Sequence, residues 1–172
     1  MLRTPASPGD HIQGRLGAAL TLVEFGSYRS HRSRAVRPVI RQLQGYFGPE
    51  LCFVYRNFSE GGLAHDLAAE AAEFAAVNEQ FWEMHEMLFV HQDRLDKSSI
   101  LGYAADIELS RDALDLALTN RTFLPVIQRV TEDGVKSGAL EMPAFFINGT
   151  SFQGDLDFDA LAMALENALT DQ

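Results

Sequence analysis

Apolar residues recur along this chain in two rhythms, one of strands and one of helices. Leu20-Thr21-Leu22-Val23-Glu24-Phe25 is a nearly unbroken run and predicts a buried strand over about 19–25. The run breaks at Gly26-Ser27-Tyr28. A helix follows over about 31–46, with Val36, Val39, Ile40, Leu43 and Phe47 at helical spacing and Gly48-Pro49 as its stop. Leu51-Cys52-Phe53-Val54-Tyr55 predicts a second strand over about 51–56. A loop with Gly61-Gly62 then leads to a long helical section. Ala68-Ala69-Glu70-Ala71-Ala72-Glu73 is a strong helix former, and Phe81, Trp82, Met84, His85, Leu88 and Phe89 mark a second, strongly apolar helix. Residues 96–128 predict two or three shorter helices, punctuated by Ser98-Ser99, Ser110 and Pro125, with a further helix to Lys136. The pattern returns to strand at Ala144-Phe145-Phe146-Ile147, turns at Asn148-Gly149 and resumes at Thr150-Ser151-Phe152-Gln153. Asn-Gly between two apolar runs is the strongest short hairpin signal. An amphipathic helix over 156–169 closes the chain.

Strand, helix, strand, four or more helices, hairpin, helix is the order of an α/β domain with an inserted helical subdomain. Residues 1–15 are polar and rich in Pro and Gly, and predict an extended N-terminal arm. The single domain is expected over 16–170, with the helical insertion at about 63–137. The 172 residues suffice for one sizeable core. A net charge of −10 argues against a general nucleic-acid or anionic-membrane surface. No apolar run approaches the length of a bilayer span, so no membrane insertion is expected. Residues 1–15 show no signal-peptide core, and a cytoplasmic location is the expectation that follows.

Candidate chemistry centres on Ser30-His31-Arg32-Ser33, where a strand and turn lead into a helix and two small polar residues stand at i and i+3 of its first turn. Cys52 is the only cysteine and lies within a strand, where a small buried hydrophobe is expected. Dithiol–disulfide exchange is therefore excluded by atom count. Arg29, Arg32, Arg34, Arg37 and Arg41 fall in a stretch without acids, and Arg34, Arg37 and Arg41 share one helical face. Such a run is either a solvated face or an anion site that uses the helix N-terminus. His85 and His91 are six apart, and Phe89 stands where a zinc-binding second histidine would follow His85-Glu86, so no metal site is expected. His65, beside Asp66, reads as a local contact at a helix start. Phe81, Trp82 and Phe89 read as core. Neither a glycine-rich phosphate loop nor a serine-hydrolase elbow is present.

Several segments together resemble the DsbA-like thioredoxin-fold disulfide oxidoreductases, nearest to the branch that also occurs as a C-terminal domain on some sodium/proton antiporters. They are Asp10-His11-Ile12-Gln13-Gly14, Leu22-Val23-Glu24-Phe25-Gly26-Ser27-Tyr28, Arg56-Asn57-Phe58, the Ala68–Glu73 helix, Phe81-Trp82-Glu83-Met84-His85 and Phe145-Phe146-Ile147-Asn148-Gly149. The resemblance implies a thioredoxin-like fold with a helical insertion. Its departures fall at the chemistry: Ser30-His31-Arg32-Ser33 stands at the family's Cys-Pro-Tyr-Cys, and Glu141-Met142-Pro143 at its Gly-Thr-Pro. The resemblance further implies a cis bond before Pro143, holding a backbone edge for an extended substrate.

Three functional readings follow. The leading one is a redox-inactive DsbA-like protein, without cofactor, that binds an extended peptide or small anionic ligand through Ser30, His31, Arg32, Ser33, Met142 and Pro143. The second is a glutathione-dependent enzyme resembling the kappa-class glutathione transferases, with Ser30 activating the glutathione thiol; Ser30 as a simple helix N-cap is its competitor. The third is a thiol-disulfide oxidoreductase whose two cysteines have been replaced by serine.

Overall fold

β1 (His11–Gln13), β2 (Leu20–Gly26), α1 (His31–Phe47) and β3 (Leu51–Asn57) open the fold. Five helices follow: α2 (Leu67–Ala76), α3 (Phe81–Val90), α4 (Lys97–Asp106), α5 (Arg111–Thr119) and α6 (Leu124–Ser137). The hairpin β4 (Ala144–Ile147) and β5 (Thr150–Phe152) and the helix α7 (Phe158–Thr170) complete it. This computed structural model describes residues 1–60 and 66–170; the expected Gly61-Gly62 loop and the His65 contact lie outside the described residues. Two compact units emerge. One comprises Met1–Gly26, Ser30–Arg56 and Glu132–Gln172, the other Ser27–Arg29 and Asn57–Thr131.

The first unit is built on a five-stranded sheet in the order β1-β3-β2-β4-β5. β2 and β3 are buried almost throughout, as unbroken apolar runs require. β2 pairs antiparallel with β4, placing Leu22 opposite Ile147 and Phe25 opposite Ala144. Asn148 (φ 46°) and Gly149 (φ 82°) make the hairpin turn, and both need the positive φ that this tight turn demands. Asn148 also fastens the hairpin to β2. Its amide donates to the Thr21 carbonyl at 2.9 Å, and its side-chain oxygen accepts from the Thr21 N–H at 2.8 Å. On α1 the buried residues are Ser33, Val36, Ile40, Leu43 and Phe47, the expected stripe with Val39 at its margin.

β1 lies inside the segment expected as an arm, and it pairs antiparallel with β3, His11 opposite Tyr55. Arg56 supplies the reason. Its guanidinium is buried, and every nitrogen faces oxygen. Nε donates to Asp10 Oδ1 at 2.7 Å, and Nη2 to Asp10 Oδ2 at 3.0 Å and the Pro5 carbonyl at 3.1 Å. Nη1 donates to the Thr4 carbonyl at 2.9 Å and lies 3.5 Å from Asp133 Oδ2. The cation also sits 5.6 Å from the centre of the Phe25 ring. Burial alone would raise the Asp10 carboxyl, but the hydrogen bond and charge of Arg56, with help from Ser7, outweigh it and hold Asp10 below the usual carboxylate range. The arm is thus drawn onto the sheet by a buried cation that finds most of its acceptors there.

In the second unit α2 is buried on nearly every side, which is why its exposed-looking sequence is mostly alanine. Its two glutamates are buried with it. Glu70 accepts from Arg121 Nε at 2.7 Å, and Glu73 from Asn57 Nδ2 at 2.8 Å. Burial pushes the Glu70 carboxyl up despite Arg121, and does the same to Asp66, which caps α2 through the Ala69 N–H. The expected break at Ser98-Ser99 falls instead in the first turn of α4, because Asp96 is the cap, its carboxylate accepting from the Ser99 amide at 3.1 Å. Ser110 caps α5. Pro125 sits at the start of α6, a position where a missing N–H costs the helix nothing. Among the described residues no helix is long and apolar enough to cross a membrane.

Removing the buried cation while leaving its carboxylate behind should be costly. Arg56→Ala is expected to lower stability by about 3–5 kcal/mol, and Arg56→Lys, lacking the planar fork, to recover only part of it. Urea unfolding checks this; a loss under about 1 kcal/mol for Arg56→Ala would mean that the arm is not anchored there.

Candidate functional site

The site is assembled where α1 begins beside the Glu141-Met142-Pro143 segment, all within the first unit. Ser30 takes extended backbone angles (φ −83°, ψ 116°) and caps α1, its hydroxyl oxygen accepting from the Ser33 N–H at 3.3 Å. The same hydroxyl donates to the Met142 carbonyl at 2.9 Å. One hydroxyl thereby ties the helix N-terminus to the segment before Pro143. The Met142–Pro143 peptide bond is cis. Arg32 Nη1 lies 3.4 Å from Glu141 Oε2, with both side chains largely in solvent.

The six expected site residues divide sharply by exposure. His31 and Arg32 are exposed and Ser30 is half-buried. Ser33, Met142 and Pro143 are buried, so their side chains lie beneath the surface that a ligand would meet. The arginines divide as well. Arg34 and Arg41 are exposed, whereas Arg37 is half-buried and its charge acts on Glu24; Arg29 belongs to the second unit.

Glu24 is the group that reading the sequence overlooked. The signal was there: one acid inside an otherwise apolar strand. It is buried in β2, and burial pushes its carboxyl up to about 8 against a usual 4.5, with Arg37 pulling weakly the other way. A side chain at Gly26 would overlap the Tyr55 ring and come within 2.8 Å of Glu24 Oε1. Glycine at 26 is what lets that ring and carboxyl pack against the strand end.

The turn before Ser30 is held within the second unit. The Tyr28 carbonyl accepts from Gln92 Nε2 at 2.8 Å, and its hydroxyl lies 3.0 Å from His85 Nδ1. The His85 ring is packed among Tyr28, Phe81, Trp82 and Phe89, a core arrangement. His91 is exposed and stacks on Tyr103. Among the described residues no cluster of three or more His, Cys, Asp or Glu could hold a metal ion. Cys52 is buried in β3, and burial, then the charge of Asp10, pushes its thiol up.

With this geometry known, the relatives can be compared. Residues 6–167 match the model of the thioredoxin family. The chain belongs to that family. Its fold is the DsbA-like form. It superposes on oxidised BdbD from Bacillus subtilis with a TM-score of 0.87 at 22% identity, covering 96% of both chains. It superposes on a thioredoxin-like oxidoreductase from Silicibacter pomeroyi with a TM-score of 0.83 at 21% identity, covering 95% of this chain and 94% of that one. In sequence it is 34% identical to the Na(+)/H(+) antiporter NhaA 1 of Mycolicibacterium gilvum, over 96% of this chain but 28% of that protein. The chain thus spans under a third of that relative's length. At the start of α1 this chain carries hydroxyls at both ends of the Ser30-His31-Arg32-Ser33 segment.

Two outcomes test the site's physics. Ser30→Ala removes a cap and a link to Met142, and should cost about 1–2 kcal/mol in denaturant unfolding. For Glu24, the folded state keeps a proton that the unfolded chain has released, so stability is greatest below pH 4.5 and falls as pH rises toward about 8. The slope in that window is about 1.4 kcal/mol per pH unit. Glu24→Gln should remove that component and be the more stable protein at pH 7; equal slopes for the two proteins would refute a buried, protonated Glu24.

Proposed function

We propose that this chain is a redox-silent DsbA-like protein that holds an extended peptide or a small anionic ligand at the family's active-site position. The observation that carries the redox half is atomic. Ser30 and Ser33 offer hydroxyls where exchange chemistry needs two thiols, and the one sulfhydryl, Cys52, is buried with its thiol pushed up. A hydroxyl cannot form the mixed disulfide through which exchange proceeds.

The ligand half is supported by the start of α1. Helix N-termini attract anions, and here Ser30, His31 and Arg32 surround one on the accessible side. Glu141 beside Arg32 tempers its positive charge, so a ligand carboxylate competes with Glu141 for the guanidinium.

The glutathione-transferase reading is the weaker one. Ser30 has one proton, and it is directed at the Met142 carbonyl. Activating a bound thiol would require that bond to break first. Ion antiport does not carry over from the Mycolicibacterium relative, because the match covers only 28% of that protein.

Insulin reduction in the presence of a thiol reductant should stay at the buffer-only rate; turnover by the pure protein would sink the redox half. For the ligand half, sulfate, phosphate and glutathione titrated into labelled protein should shift the amides of residues 28–34. The effect should fade as salt rises and weaken more in Arg32→Ala than in Arg129→Ala, a change at an exposed arginine outside the motif. Unmoved amides there would reduce Ser30–Ser33 to a capped helix.

A further inference from the structure

Beside Arg32 the first unit has a cleft of about 220 Å³ lined by Arg32, Ala35, Val36, Gly154, Asp155 and Leu156. We propose that this cleft takes the zwitterionic head of an α-amino acid, its carboxylate toward Arg32 and its ammonium toward Asp155. The inference rests on the ligand-binding reading above and deepens it by naming the ligand's chemistry.

Three observations support it. The lining holds one cation and one anion over a small apolar floor of Ala35, Val36 and Leu156. Among the described residues Asp155 has no hydrogen-bond or ion-pair partner, and it is exposed. A simple anion in the cleft would be repelled by Asp155, and a simple amine by Arg32. A molecule carrying both charged groups on one carbon satisfies both residues at once. The volume lies below the roughly 300–1,000 Å³ of sites for drug-sized ligands, and suits something the size of one amino acid.

Arg32 is able to change partners. Its contact with Glu141 is 3.4 Å long between side chains 62% and 85% exposed, and exposed pairs of this kind are weak. The ligand's carboxylate replaces Glu141, which makes Glu141 a competitor rather than part of the site. A free amino acid and the γ-glutamyl end of glutathione carry the same head group, and the test separates them.

The experiment titrates labelled full-length protein with norvaline, with pentanoate (the same molecule without its ammonium), with butylamine (without its carboxylate) and with glutathione. Norvaline should give saturable shifts at the amides of Gly154, Asp155 and Leu156, binding about threefold or more tighter than pentanoate or butylamine. Asp155→Asn should abolish the preference for norvaline over pentanoate, and Glu141→Gln should tighten norvaline binding. Glutathione acting at the same amides extends the site to γ-glutamyl ends; norvaline alone acting there restricts it to free amino acids, and both results support the proposal. Equal binding of norvaline and pentanoate overturns it, as does the absence of saturable shifts at 154–156. Shifts confined to 28–34 overturn it while leaving the proposed function standing, and silence at both segments overturns it together with the ligand half of the proposed function.

Discussion

A buried guanidinium must find acceptors for its N–H groups, and in this protein that requirement shapes the edge of the sheet. Arg56 sits near the end of β3, a strand buried throughout, where water does not satisfy its donors. Its acceptors come from the chain's own beginning: two backbone carbonyls at Thr4 and Pro5 and the carboxylate of Asp10. Once Asp10 is placed, β1 follows at once and completes the sheet beyond β3. A segment of polar, turn-rich sequence is thereby made part of the scaffold that carries β2 and the site.

The start of α1 shows how a thioredoxin-family fold packs this turn with serines at positions 30 and 33. The geometry that could stabilise a thiolate is still present: a strand, a turn and a helix N-terminus pointing at the segment before a proline. Its electrostatic capacity is used differently. The Ser30 hydroxyl caps the helix and donates to Met142, so the two halves of the site are joined by a hydrogen bond. Arg32 and Glu141, two residues after Ser30 and one before Met142, repeat that join on the surface.

Glu24 adds a second consideration. A buried carboxyl kept protonated costs stability at neutral pH. Gly26 accommodates it by leaving room for the Tyr55 ring and the carboxyl together.

Much of this protein was determined by its sequence alone, because local periodicity and turn chemistry act over a few residues. The order of strands and helices, the α1 stripe of Val36, Ile40, Leu43 and Phe47, the Asn148-Gly149 hairpin and the lack of a dithiol all follow from neighbouring residues. Where local reading slipped, as at Ser98-Ser99, the cause was a competing cap two residues earlier, at Asp96. Only the tertiary structure decided that the arm joins the sheet, that Ser30 bonds a carbonyl 112 residues away, that Ser33 and Met142 are buried, and that the charge of Arg37 acts on Glu24. Those outcomes depend on which distant groups are desolvated together. Desolvation belongs to the folded packing, and no spacing along the chain encodes it.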